Sequence, residues 1–451
     1  VLSNHARQAA REQSSVPSDI PMSGAAAVWR SRALRTVLVA FPLWCTASLL
    51  IFHAPWRFRV ITTGLFGLSV LAPHAGLLAL AVIAPLGHLV QVGLGLQPFR
   101  VTEAAVLAFF AGWLIRGRAD REGPRVSASV WWLLAAILCA SVVARVWEAT
   151  ALPGELLDNL QVLYQAYFLV PERIGFGTAA LLVEGFGLMA ATTILFRWRP
   201  RVANTLPVAM SIAAVVAAVS SVLVERGIGF DQILQEHARI IPRASAHVGD
   251  PNAAASYFGM MVFVALGMSG RCRWIPRGLW LLVAATQVGG LWLTRSRTGV
   301  ATVALLLVVG MGSILTSSWP PTRRRFAMSV VLVLIIVAGV LRAWTLRDDP
   351  GTSFRRQFYE TSLRMIAARP LTGIGIGRYY DASALFLPAE TTWTYPRQNA
   401  HNNFLQIAAE TGLVSLVLLV SGLGIVLWRA ARAIGRRPGD LRLLGCGLGV
   451  G

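Results

Sequence analysis

The apolar positions of this chain fall in long blocks rather than in amphipathic stripes. Runs of about 20 apolar residues, separated by short polar turns, recur from residue 36 to the end. That is the length a helix needs to cross a hydrocarbon core. The ten-residue alternation of a membrane β-barrel is absent. The pattern predicts an all-α polytopic membrane protein with about 12 or more transmembrane helices and one large polar loop. Spans are expected near 36–53, 60–73, 75–95, 101–115, 127–143, 175–196, 203–224, 252–268, 278–293, 300–316, 326–343 and 404–427, with Pro73 and Gly76 as the break between the second and third. Residues 1–29 read as an unpatterned cytoplasmic leader, 30–345 as helices with short loops, and 346–402 as the large loop. Residues 403–451 read as C-terminal transmembrane helices, expected to be incomplete because the last residues enter a new apolar run.

Charge orients this arrangement. Strongly basic turns at Arg116–Arg121, Arg197–Arg201, Arg271–Arg277, Arg323–Arg325 and Arg429–Arg437 fall on one side and are expected to be cytoplasmic. The segments 225–251, 294–299 and 346–402 fall on the other side, yet all three carry arginine. Arginine against the positive-inside trend needs another reason, and binding an anionic headgroup at the outer surface is one. The net charge of +20 is carried wholly by arginine; the sequence has no lysine. A GC-rich genome would produce that bias by itself. Its consequence is still physical, since every cation is then a planar fork suited to bidentate phosphate contact. Nucleic acid is not expected as a partner, because most of the charge sits in short turns between spans. Cys45, Cys139, Cys272 and Cys446 have no CxxC or metal-ligand spacing, so neither disulfide nor structural metal is expected.

Candidate chemistry concentrates in the three arginine-bearing outer segments. In the first, Arg239 and Arg243 precede Asp250-Pro251-Asn252, where Asp250 or Asn252 would cap the next helix. A helix start beside arginine could hold an anion, or it could be only a capped span with snorkelling side chains. In the second, Thr294-Arg295-Ser296-Arg297-Thr298-Gly299 joins two apolar helices with almost no loop, as an anion site or an interface anchor. The third opens with an amphipathic helix over 353–368 that suits a membrane surface. Pro370 stops it. Gly373, Gly375 and Gly377 then form a turn or, less specifically, a phosphate cradle. Trp393–Arg397 offers aromatic surface for lipid or sugar. His401, followed by Asn402 and Asn403, stands at the expected water boundary, and histidine is the side chain suited to take a proton near neutral pH. The outer segments show no paired carboxylates for a divalent metal. Charge on a leaving phosphate would have to be met by arginine.

Three of these stretches together resemble a known family. Arg243-(x8)-Asn252-x-x-Ala255, the T-x-SRTG turn at 294–299, and RPLTGIGIG…AHNNFLQIAAETGL at 369–413 are similar to the O-antigen ligase and O-antigen polymerase family. The resemblance runs from about residue 60 to the end. The His-Asn motif with Glu410-Thr411-Gly412 is its most specific part. It implies a metal-independent, inverting bacterial inner-membrane glycosyltransferase of the GT-C type that needs no cofactor. The donor would be an undecaprenyl-diphosphate-linked glycan, used at the periplasmic face, and the acceptor lipid A-core or another glycan. By motif, His401 would be the catalytic base, with Asn402 orienting it. Arg243 and Arg297 would bind the diphosphate, with Arg364 and Arg369 as further contacts. Polymerase activity, glycan transfer to protein hydroxyls and a lipid-linked glycan transporter remain the alternatives. Against the transporter stands the lack of an internal repeat.

Overall fold

The computed structural model describes residues 54–96, 99–117, 175–228, 250–270, 274–315, 350–389 and 397–435, with isolated positions elsewhere. The spans expected near 36–53, 127–143 and 326–343, the leader, Arg239 and Arg243, most of Trp393–Arg397 and residues beyond 435 lie largely or wholly outside them. Every regular element among the described residues is helical: α1 (Trp56–Leu71), α2 (Pro73–Ile83), a 3-10 turn (Ala84–Leu86), α3 (Gly87–Gly93), α4 (Val101–Gly117), α5 (Gly175–Trp198), α6 (Val202–Glu225), α7 (Pro251–Ser269), α8 (Trp274–Leu293), α9 (Arg297–Leu315), α10 (Pro350–Ala368), α11 (Tyr379–Phe386) and α12 (Asn403–Gly435).

Four of these stretches are long and apolar enough to cross a bilayer: Pro73–Gly93, Val202–Glu225, Pro251–Ser269 and Asn403–Ile425. The chain is a polytopic helical membrane protein. The expected count of twelve or more spans draws also on residues outside those described; the described residues show four. The break expected at Pro73 is present. Ala72 leaves helical geometry and Pro73 opens α2, where its missing N–H costs nothing.

The helices pack by the logic of a membrane bundle. Along α6 the protein side carries small residues, Ala209, Ala213, Ala217 and Ser220, whereas Val208, Ile212, Val216 and Val219 face outward. Lipid tails solvate bulky aliphatics as well as a protein core does, so close approach of backbones decides which face turns inward. Ala213, Ala217 and Ala218 of α6 meet Ala254, Ala255 and Phe258 of α7, Leu291 of α8 and Val303 of α9 in one core. Gly299 serves the same end, since a Cβ there would stand 2.9 Å from the Ala255 Cβ. A second core joins α1, α2, α4 and α5 through Leu65, Leu77, Phe109 and Leu195.

A polar module is formed by α10, α11 and the first turns of α12. Met365, Tyr379, Ala400 and Ala409 form its core. Helix α10 buries Phe358, Thr361, Ser362 and Met365 at helical spacing and turns Arg355, Arg356, Leu363 and Arg364 outward. α12 begins as an ordinary helix and then breaks. Gly412 has φ 85° and ψ 167°, a region essentially reserved for glycine. The backbone groups freed by the break are taken up by the preceding loop. Ile374 N–H donates to Ala409 C=O (2.8 Å), Gly375 N–H to Glu410 C=O (3.0 Å), and Leu413 N–H to Pro370 C=O (2.8 Å). The RPLTGIGIG stretch is thus a clasp on a broken helix. Gly373 (φ 66°) lies directly on the Glu410–Thr411 backbone, where any Cβ would collide. Its glycines serve backbone-to-backbone contact, and the turn reading prevails over the phosphate cradle.

Candidate functional site

The site is assembled from three helix starts and one helix flank. Asp250 is the N-cap of α7: its Oδ1 accepts from the N–H groups of Asn252 (2.6 Å) and Ala253 (2.8 Å), with Pro251 at the first helical position. Of the two residues able to cap this helix, the aspartate does so. Asn252 is then free of capping and accepts through Oδ1 from Ser296 Oγ at 3.4 Å. That contact fastens the start of α7 to the TRSRTG turn.

The turn itself is rigid for its length. Thr294 and Ser296 are buried and bond to the local backbone, while Arg295 adopts a left-handed φ of 53°. The Arg295 guanidinium lies 3.7 Å from Glu225 at the end of α6. Arg295 is therefore near a carboxylate, whereas Arg297 opens α9 as an exposed residue, at a helix start where Ser296 Oγ accepts from the Gly299 N–H.

His401 and Asn402 form the third helix start. The Asn402 Oδ1 accepts from Phe404 N–H (3.0 Å) and Leu405 N–H (3.2 Å), so Asn402 caps α12. Any orienting effect on His401 runs through the backbone turn it fixes. His401 has a left-handed φ of 50°, a conformation that histidine tolerates better than most residues but which still stores strain. Its ring packs at a tilt of 37° against that of Phe358 of α10, with ring centroids 5.4 Å apart, and the residue is partly open to solvent.

The charges around His401 come from two other elements. Its pKa lies below the ordinary 6.5, first because the surrounding protein desolvates the ring, second because the Arg355 charge opposes protonation. Asp250 acts in the opposite direction. The imidazole is therefore neutral at neutral pH and able to accept a proton. Arg355 follows from register. It precedes Phe358 by three residues on α10, so the helix that covers the His401 ring also brings a guanidinium beside it.

The remaining expected residues are placed as follows. Arg364 is exposed and donates through Nη1 to Phe386 C=O at 3.1 Å, tying α10 to the end of α11. Arg369 is exposed where α10 ends, its N–H bonded to Met365 C=O. Neither is drawn to His401 by a contact in the structure. Arg243 lies outside the described residues. Arg355 was not among the residues singled out from the sequence. The available signal was its i, i+3 spacing to an aromatic. Among the described residues, no cluster of three or more His, Cys, Asp or Glu side chains is arranged to hold a metal ion.

Comparison with known families bears on the segment that carries most of this geometry. Residues 281–420 match the family model described as O-antigen ligase, spanning the TRSRTG turn, Arg355, the glycine clasp and His401. This stretch is similar to O-antigen ligases. Proteins of this family are membrane glycosyltransferases that transfer glycans in the manner of O-antigen ligases and polymerases. The matched stretch covers just under a third of the 451 residues, and α7 with Asp250 lies before it. No curated protein and no solved structure matches the chain.

Proposed function

We propose that the protein is an O-antigen ligase-type glycosyltransferase of the bacterial inner membrane. It would move a glycan from undecaprenyl diphosphate to a hydroxyl of lipid A-core at the periplasmic face. The observation that carries this reading is the place of His401 at a helix start within the matched O-antigen ligase segment, its ring packed on Phe358 and partly open to solvent.

The chemistry follows from those groups. The donor diphosphate lies against Arg297 at the start of α9 and against Arg355, with Arg243 as a further contact. His401 takes the proton of the acceptor hydroxyl as its oxygen attacks the anomeric carbon. The bond from that carbon to the diphosphate oxygen breaks, and the departing charge is already met by guanidinium groups. A single displacement inverts the anomeric configuration. The arginines do the work that a divalent ion does in many sugar transferases, so the reaction should survive chelation by EDTA. A product that keeps the donor's anomeric configuration would rule out this scheme.

Two results test the assignment of groups. Arg297→Gln should raise the donor KM about tenfold or more, because it removes a charge-assisted contact worth roughly 1.5–3 kcal/mol, and Arg297→Lys should recover only part. A purely structural Arg297 would leave donor KM unchanged while lowering the yield of folded protein. The pH dependence of kcat/KM should show an acid limb with its midpoint below 6.5, since activity needs neutral His401. Arg355→Gln should move that midpoint up by removing an opposing positive charge. Asp250→Asn, which keeps the cap, should move it down. Shifts of the reverse sign would mean that another group titrates.

A further inference from the structure

Nine residues along α12 from His401, a buried polar chain leads back to the same imidazole. Glu410 is 3% exposed, and its Oε1 accepts from the main-chain N–H of Tyr379 and from Gln406 Nε2, both at 3.3 Å. Tyr379, 1% exposed, opens α11 and sends its hydroxyl across to α10. There it donates to Ser362 Oγ at 2.6 Å, with the Phe358 C=O a further 3.3 Å contact. Ser362 Oγ also donates to Phe358 C=O at 2.8 Å. Phe358 is the residue whose ring covers His401. The contacts thus close a circuit from His401 along α12 to Glu410, over to Tyr379, across to Ser362 and Phe358, and back to His401.

We propose that the buried Glu410–Tyr379–Ser362 chain is a positioning device for His401, fixing where the Phe358 ring stands and so holding the imidazole in its left-handed, half-covered pose. The inference rests on the reading of His401 as the reactive group. Three physical points support it. Buried polar groups that are mutually satisfied fix one arrangement of the elements they join. The carboxylate sits at the start of α11, where free N–H groups favour an anion. Burial, and next the Glu410 charge, raise the Tyr379 pKa against the Ser362 hydrogen bond, so its hydroxyl stays a donor across the working pH range. A left-handed histidine at a helix start has little of its own to hold it. The strain persists only because its surroundings fix it.

The test uses the full-length protein in lipid nanodiscs with 13C-labelled histidine. His401 is assigned by the signal lost in His401→Asn, and its titration midpoint is followed by NMR. The charged groups facing this ring, Arg355 on α10 and Asp250 before α7, are left intact. Tyr379→Phe deletes only the hydroxyl, and Ser362→Ala deletes its partner. Both should raise the His401 midpoint toward 6.5, because a loosened Phe358 ring leaves the imidazole less desolvated. In the transfer assay, kcat should fall roughly tenfold, as expected for a small misplacement of a reacting group, while donor KM stays within about twofold. An unmoved midpoint in both variants, with or without a fall in kcat, overturns the proposal. So does a moved midpoint with unchanged kcat, provided that His401→Asn is inactive. If the midpoint moves but His401→Asn still transfers glycan, the positioning chain stands and His401 as the reactive group falls.

Discussion

Replacing His401 should abolish transfer, and the informative replacement is asparagine. His401→Ala removes the imidazole but also places alanine in a left-handed conformation it resists. Asparagine tolerates that conformation, so His401→Asn keeps the turn before α12 and deletes only the proton acceptor. Loss of a general base costs about 10²- to 10⁴-fold in rate. Both variants should fall in that range or below detection in a transfer assay, with donor binding retained because the guanidinium groups are untouched. Full activity in His401→Asn would leave the imidazole no chemical role. Loss of donor binding together with rate would make His401 a binding group instead of a base.

The second large effect is expected far from any reacting atom. Gly412→Ala should destabilise the module by about 3 kcal/mol or more. It forces a side chain into the φ 85°, ψ 167° region and drives a Cβ into the Leu371 C=O. The alternative open to the variant is to straighten α12, returning the Ala409 and Glu410 carbonyls to helical bonding. That would release the clasp at Ile374 and Gly375 and carry His401 away from Phe358. Either way transfer is lost, and limited proteolysis should cut within 369–378, which the clasp now protects. Wild-type activity and protection in Gly412→Ala would show that the break is dispensable.

The two sites differ in how far the sequence announced them. The helices α5, α6, α7 and α9 were legible because an apolar run of helical length has few other fates, and their ends fall within three residues of the runs. The Asp250 cap and the stop at Pro370 were legible from local chemistry. The break at Gly412 was not. Residues 404–427 read as one apolar span, and glycine is common in membrane helices. What marks it as a break is the Pro370–Gly375 backbone some forty residues upstream, a partner no local pattern reveals. Arg355 was hidden for a related reason: its value depends on α10 docking with Phe358 against His401. Arg364 shows the converse, since a basic residue on the same helix is drawn to the Phe386 carbonyl instead.

The central claim is that the polar module cleaves the sugar–diphosphate bond of a membrane-bound donor. The most direct measurement is reconstituted transfer in proteoliposomes, with a radiolabelled undecaprenyl-diphosphate glycan, lipid A-core or a second lipid-linked glycan as acceptor, and EDTA present. The expected result is glycan joined to lipid A-core with inverted configuration, one undecaprenyl diphosphate released for each transfer, and neither product with His401→Asn. Elongation of the lipid-linked glycan alone would make the protein a polymerase. Labelled donor that crosses the bilayer with its sugar–diphosphate bond intact, in wild type and His401→Asn alike, would contradict the account and make it a transporter.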